Sequence, residues 1–174
     1  LYWKIGGDQD FIKLSNWWAD QTSARERHLY TGHIFGSGYS SNELPNQLVH
    51  TRGNEDIKGN VYFSAKHFGF NTLGFNDRLV ENYYRFPALL PSMDWKDTIM
   101  PNEPVNLRFE PIAGSGPYVL RWDVPVAASD GDTASRYVVY KFPQTPLEDD
   151  LQHSDYIVDI AGMTYNSPAP VNTG

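Results

Sequence analysis

Three apolar, β-prone segments, each followed by a stretch with helical spacing, fill residues 1 to about 90, after which the chain turns to short alternating strands. The first segment is Leu1-Tyr2-Trp3-Lys4-Ile5-Gly6. Asp8 or Asp10 then offers an N-cap to a helix whose apolar set is Phe11, Ile12, Leu14, Trp17 and Trp18. The second runs from His28 to Phe35 and stops at Gly36-Ser37-Gly38. Ser41 or Asn42 can cap the helix after it, Pro45 falls where a first-turn proline is tolerated, and Leu44 and Leu48 share a face. The third, Asn60 to Ala65, follows Gly59, and its helix is expected from Asn76 or Asp77 with Leu79, Val80, Tyr83 and Tyr84 as the buried stripe. Near-continuous apolar strands alternating with amphipathic helices mark parallel βαβ units with a sheet covered on both faces.

Beyond Arg85, Pro87, Pro91, Pro101 and Pro104 forbid a long helix, so this stretch reads as a hinge packed by Leu89, Leu90 and Trp95. Strands are expected at Val105 to Phe109, Tyr118 to Val124, Arg136 to Phe142 and Tyr156 to Ile160. Val105, Leu107 and Phe109 share a face, as do Tyr118, Leu120, Trp122 and Val124. Such strands, separated by Gly, Ser, Asp and Pro clusters, predict a β-sandwich with one buried face per sheet.

At 174 residues, 40% hydrophobic and 20% charged, the chain holds one medium domain or two small ones. A net charge of −7 and a pI near 5.1 argue against nucleic acid, which requires a basic face. No apolar run is long enough to span a bilayer. The absence of cysteine excludes disulfides and thiolate zinc sites, and the five histidines have no metal-ligand spacing, so neither metal nor cofactor is expected. Aromatics, at 14%, suit sugar-stacking surfaces as well as cores.

The segments Leu1 to Gly6, Trp17-Trp18-Ala19, His28 to His33, Glu43 to Gln47, Gly59 to Lys66 and Tyr83 to Pro91 together resemble the C-terminal part of the glycosyl-hydrolase-like family 10 proteins. These are bacterial barrel proteins, common in gut Bacteroidetes, in which a fibronectin-III-like domain often follows the barrel. The resemblance implies an α/β plus all-β chain: the last three βα units of a (β/α)8 barrel, with the hinge, over residues 1–100, then a truncated fibronectin-III-like β-sandwich over residues 101–174. A complete barrel takes about 250 residues, so the chain is expected to be a fragment. Its parent is expected to be exported to the periplasm, cell surface or medium, with any signal upstream.

Glycoside hydrolysis ordinarily uses two carboxylates roughly 5 to 9.5 Å apart, and a barrel carries its catalytic groups at the C-terminal ends of its strands. Those ends here offer Asp8, His33, and the set Ser64, Lys66 and His67. Asp8 is the only acid among them and reads either as a sugar-binding or catalytic carboxylate or as a helix cap. His33 reads as a sugar ligand or as a structural histidine, and Lys66 as a partner for a carboxylate or as a surface lysine. Tyr39, in the Gly/Ser-rich loop, is a candidate stacking platform or a packing anchor. Asp8, His33, Tyr39 and Lys66 therefore form the expected substrate-binding set, with the catalytic acids unassigned and expected upstream of Leu1. The leading function is that of a C-terminal fragment of a glycoside hydrolase acting on polysaccharide or oligosaccharide, inactive by itself. The alternative is a non-catalytic carbohydrate-binding or interaction module. The inner face of an open barrel arc also predicts that the isolated chain either self-associates or is only marginally stable.

Overall fold

A pattern of strand, helix and parallel strand organises the first half of the chain. The computed structural model describes residues 3–35, 38–111, 118–162 and 164–166, of which Tyr118, Glu148 and 164–166 by backbone alone. Two compact units result: Leu1–Arg85 with Pro91–Trp95, and Phe86–Leu90 with Lys96–Gly174.

In the first unit, helix α1 (Phe11–Ser23) precedes strand β1 (Leu29–Ile34), helix α2 (Glu43–Arg52) and strand β2 (Ile57–Phe63). The two strands pair in parallel, with Thr31 opposite Asn60 and His33 opposite Tyr62. One face of this pair carries Thr31, His33, Asn60 and Tyr62 toward the helices. Tyr30, Val61 and Phe63 point the other way and are exposed, Phe63 at 62%. Leu44 and Leu48 of α2 meet Phe75 and Leu79 in a buried cluster, with Phe35, Tyr39, Tyr62, Phe68 and Tyr83 packed around it. Each such buried side chain contributes about 1.5–3 kcal/mol.

The segment expected as a first strand differs. Leu1 and Tyr2 lie outside the described residues, and Trp3 to Gly6 form no ladder. Their backbone groups are taken by helices: Gln47 Nε2 donates to the Trp3 carbonyl (3.0 Å), the Ile5 N–H donates to Glu43 (2.8 Å), and the Phe11 N–H donates to the Lys4 carbonyl (3.0 Å). Gly6 and Gly7, at φ of 85° and 89°, then turn the chain. Asp10 is the N-cap of α1, its carboxylate accepting from the N–H groups of Lys13 and Gly6.

Helix α1 buries Phe11, Ser15 and Ala19 at i, i+4 and i+8. Small residues let it sit close to its neighbours, while Trp17 and Trp18, expected inside, are about half exposed and pack edge to face at 4.8 Å. Helix α2 begins after Asn42, whose side chain makes no cap and accepts from Arg78 instead (3.1 Å). After β2 come two short helices, α3 (Lys66–Gly69) and α4 (Phe75–Arg78), and then a π turn over Leu79–Tyr83. The wide turn, closed by the Tyr84 N–H on the Leu79 carbonyl, makes Phe75, Leu79 and Tyr83 the inward stripe and leaves Val80 and Tyr84 exposed. Of the residues expected to pack the hinge, Trp95 does so, edge-on to His28 at 4.6 Å and beneath the Arg27 guanidinium at 4.9 Å. Leu90 is 89% exposed.

The second unit contains two antiparallel sheets. Strands β3 (Val105–Pro111), β4 (Tyr118–Asp123) and β7 (Thr164–Asn166) form one, in the order β3-β4-β7. Strands β5 (Tyr137–Tyr140) and β6 (Ile157–Ala161) form the other. Trp122 of β4 meets Tyr137, Val139 and Ala161 in a buried cluster that joins them. Strand β3 differs from expectation, since Val105, Leu107 and Phe109 are exposed. Asn106, at φ 54°, breaks its register against β4. Arg108 bonds Glu110 (3.1 Å) and Asp123 (2.9 Å), and Arg121 bonds Glu110 (2.6 Å), a half-exposed ladder that salt will screen. No helix among the described residues is long and apolar enough to cross a membrane.

Candidate functional site

The C-terminal ends of β1 and β2 and the loops after them carry His33, Tyr39 and Lys66, while Asp8 lies before α1, and the structure joins only two of the four. His33 is 1% exposed, on the helix-facing side of β1. Its Nδ1 lies 2.9 Å from Gln47 Oε1, and its Nε2 lies 2.7 Å from the Asn60 side-chain amide and 3.2 Å from Thr31 Oγ1. The ring stacks on Tyr62 (5.1 Å) and tilts against Phe11 (5.3 Å). Burial lowers the His33 pKa, partly offset by the bonds to Gln47 and Asn60. His33 thus ties β1 to α2 and β2 through its own ring atoms, with both nitrogens occupied by protein groups.

Tyr39 belongs to the same cluster. It packs on the Leu44/Leu48 core, the Lys4 ammonium stands over its ring at 5.5 Å, and burial raises its pKa against the effect of a hydrogen bond with Gln47. Lys4 also donates to the Gly38 carbonyl (2.9 Å), fixing the loop that carries Tyr39. The packing-anchor role accounts for these contacts.

Asp8 stands apart in the exposed turn before α1. Because Asp10 supplies the cap, the Asp8 carboxylate is left without a hydrogen bond or ion pair among the described residues. Lys66 opens α3, exposed, directly beyond β2, and its ammonium likewise has no carboxylate partner among the described residues. Among the described residues, these are the two of the four whose charged groups have no partner.

Two groups escaped the sequence reading. Glu43, in the first turn of α2, holds the Ile5 N–H and Gln47 Nε2, both at 2.8 Å, and so positions the segment leading to Asp8. A Glu in the first turn of a helix is favourable to the helix dipole in any case, so its spacing carried no signal of this second task. Asn60 is the other: its side chain meets Thr31 (3.0 Å), Thr51 (2.9 Å), His33 and Tyr84 (3.1 Å). Only the register of β1 against β2 brings these together. In the second unit, Tyr140 and Phe142 stack at 5.5 Å, with Tyr156 5.0 Å from Phe142, an aromatic row built across a strand end and a later turn. There too, Asp97, Asp130 and Asp132 bring one oxygen each within 4.8 Å of one another, all exposed, where acidic groups commonly gather without an ion.

The chain is similar to a glycosyl hydrolase. Over 113 residues, 60% of its length, it is 34% identical to the glycosyl hydrolase YngK of Bacillus subtilis (strain 168). The chain spans 22% of the length of that relative. No family model and no solved structure matches it.

Proposed function

We propose that this chain is part of a bacterial, exported glycoside hydrolase of the glycosyl-hydrolase-like family 10 kind, acting on polysaccharide or oligosaccharide. In this reading the first unit supplies the last βα units of a (β/α)8 barrel, and the second is a fibronectin-III-like sandwich. The observation that carries the reading is the parallel β1–α2–β2 unit, helix-covered on one face and apolar but open on the other, in a chain 34% identical over 113 residues to a protein described as a glycosyl hydrolase. The open face, with Tyr30, Val61 and Phe63, is what the lining of a barrel looks like when its other strands are elsewhere.

In such a barrel Asp8 and Lys66 stand at the rim that faces substrate, Asp8 accepting hydrogen bonds from sugar hydroxyls or assisting an acid, Lys66 pairing with a carboxylate or a hydroxyl. Glu43, His33 and Gln47 hold the rim from beneath. Hydrolysis needs a second carboxylate across the glycosidic bond. Glu43 is committed to Ile5 and Gln47, so the pair requires residues outside this chain, and residues 1–174 alone are inactive.

A second reading, a carbohydrate-binding module, draws on the Tyr140–Phe142–Tyr156 row, since aromatic faces stack on sugar rings. The experiment compares residues 1–174 with the longer protein that contains them, on aryl glycosides and oligosaccharide panels. Turnover only by the longer protein is expected. Turnover by residues 1–174, or glycan binding without turnover by the longer protein, would overturn the proposal, and in the second case favour the module.

A further inference from the structure

One proton on His33 decides how the buried polar network is wired. The sense of the Gln47 amide is fixed, because its Nε2 donates to the Trp3 carbonyl (3.0 Å) and to Glu43 (2.8 Å). Gln47 Oε1 must therefore accept, and His33 Nδ1, 2.9 Å away, carries a hydrogen. The Asn60 amide has no such constraint. One of its ends lies 2.7 Å from His33 Nε2 and the other 3.1 Å from the Tyr84 hydroxyl.

With Oδ1 toward His33, Nε2 must also carry a hydrogen, so the ring is an imidazolium and Asn60 Nδ2 donates to Tyr84. With the amide turned end for end, Nδ2 donates to the Nε2 lone pair, the ring is neutral, and Oδ1 accepts from the Tyr84 O–H. The two threonines serve both arrangements: they donate to Oδ1 in the first, whereas in the second the two amide hydrogens go to His33 Nε2 and Thr51 Oγ1, Thr51 turns its proton to the Leu48 carbonyl (3.1 Å), and Thr31 turns its own to the Gly59 carbonyl (3.5 Å). No carboxylate touches the imidazole, and an unpaired charge buried to this degree is disfavoured. The neutral wiring is the one for neutral pH.

We propose that His33, Asn60 and Tyr84 form a proton-driven switch, in which uptake of one proton by His33 turns the Asn60 amide and reverses the Tyr84 hydroxyl from donor to acceptor. Tyr84 is exposed and lies 3.3 Å from the Tyr62 hydroxyl, so the switch sends the state of a buried ring to a surface hydroxyl pair. The groups facing His33 are Phe11 from α1, Gln47 with Glu43 behind it from α2, Thr31 from β1, and Asn60 and Tyr62 from β2. His50 lies against Phe11 (6.3 Å), and the Arg52 guanidinium stands over the Tyr84 ring (5.8 Å). Burial places the proton uptake on the acid side of the usual imidazole range.

Long-range ¹H–¹⁵N spectra of the histidine-labelled chain test this, with His33→Gln identifying the His33 signals. At pH 7.5 a hydrogen on Nδ1 and a bare Nε2 are expected. On acidification His33 should titrate at a higher proton concentration than an exposed histidine, because burial lowers its pKa, and the Asn60 side-chain NH₂ signals should move with the same midpoint. In Asn60→Asp, whose carboxylate only accepts, His33 should remain an imidazolium at pH 7.5. An imidazolium or an Nε2–H ring in the unmodified chain at pH 7.5 overturns the switch. So do Asn60 signals that ignore the His33 titration, or unfolding before His33 takes up its proton. The unmodified chain decides the matter even where Asn60→Asp does not fold.

Discussion

The Tyr30 ring lies across Gly59 on the neighbouring strand, so close that a methyl group on Gly59 would stand 2.7 Å from Tyr30 Cδ1 and 2.9 Å from Cε1. The glycine is there for space, and the ring occupies the surface that a side chain would have filled. Gly59→Ala is expected to destabilise the first unit by about 1–3 kcal/mol, the range for overpacking. Tyr30→Ala should relieve most of that cost in the double variant, because the clash has a single partner. Denaturant unfolding of the four members of this cycle measures the coupling, and additive losses would contradict it.

Acid should weaken the first unit in two stages. The His33 pKa is lowered by burial, so as pH falls through about 6.5 the unfolded chain takes up a proton that the folded chain refuses. Stability is therefore level above neutrality and falls below it. His50, also lowered by burial though opposed by Asp10, adds to the same window. The Asp10 carboxylate, held down chiefly by the Lys13 N–H, produces a second loss as pH falls through the carboxylate range. Thermal unfolding from pH 8 to 3 should show both, with the upper stage shallower in His33→Gln and the lower one absent in Asp10→Asn.

Substitutions at the four expected ligand positions should separate into two kinds. His33→Ala removes a buried ring and leaves Gln47 and Asn60 without a partner, so it should cost about 3 kcal/mol of stability. Lys66→Ala and Asp8→Ala remove exposed, unpartnered groups and should leave stability within about 0.5 kcal/mol. In the longer protein they should raise KM or lower kcat, while Arg108→Ala on the second unit should do neither. Kinetics alongside unfolding curves distinguish the two kinds, and unchanged kinetics in both Asp8→Ala and Lys66→Ala would remove these residues from the rim.

The open face of the parallel pair should drive association of residues 1–174. Tyr30, Val61 and Phe63 present adjoining apolar surface on it. Sedimentation velocity should show species larger than a monomer at micromolar concentration, and Val61→Lys with Phe63→Lys should return the monomer. A monomer before substitution contradicts the expectation.

Periodicity placed β1, β2, α1 and α2 within a few residues of where they lie, because each is a run of one hydrophobic period bounded by Gly, Pro or a capping residue. It failed where a backbone group found a partner of another kind. Trp3 to Gly6 read as a strand, yet Gln47 and Glu43 take the hydrogen bonds a strand would have offered. Val80 read as buried because its spacing assumed 3.6 residues per turn, and the π turn over Leu79–Tyr83 shifts the stripe. His33 read as either a sugar ligand or a structural histidine, and strand alternation turns it toward the helices, a side that its position in the sequence could not disclose. Asn60 became visible only through the pairing of β1 with β2, since four of its partners lie between 9 and 29 residues away.

The pairing of β1 with β2 also sets an order of events as the chain folds. Parallel strands cannot be joined by a tight turn, and here Leu29 meets Ile57 only after α2 has carried the chain back along the sheet. Closing so long a loop before any contact rewards it is slow. Helix α2 relaxes within about a microsecond, far faster than the loop closes, and the bonds of Asn60 to Thr31 and Thr51 exist only once β1 and β2 have paired. A ribosome releasing this region delivers β1 and α2 first and holds them unfinished until Phe63 has emerged.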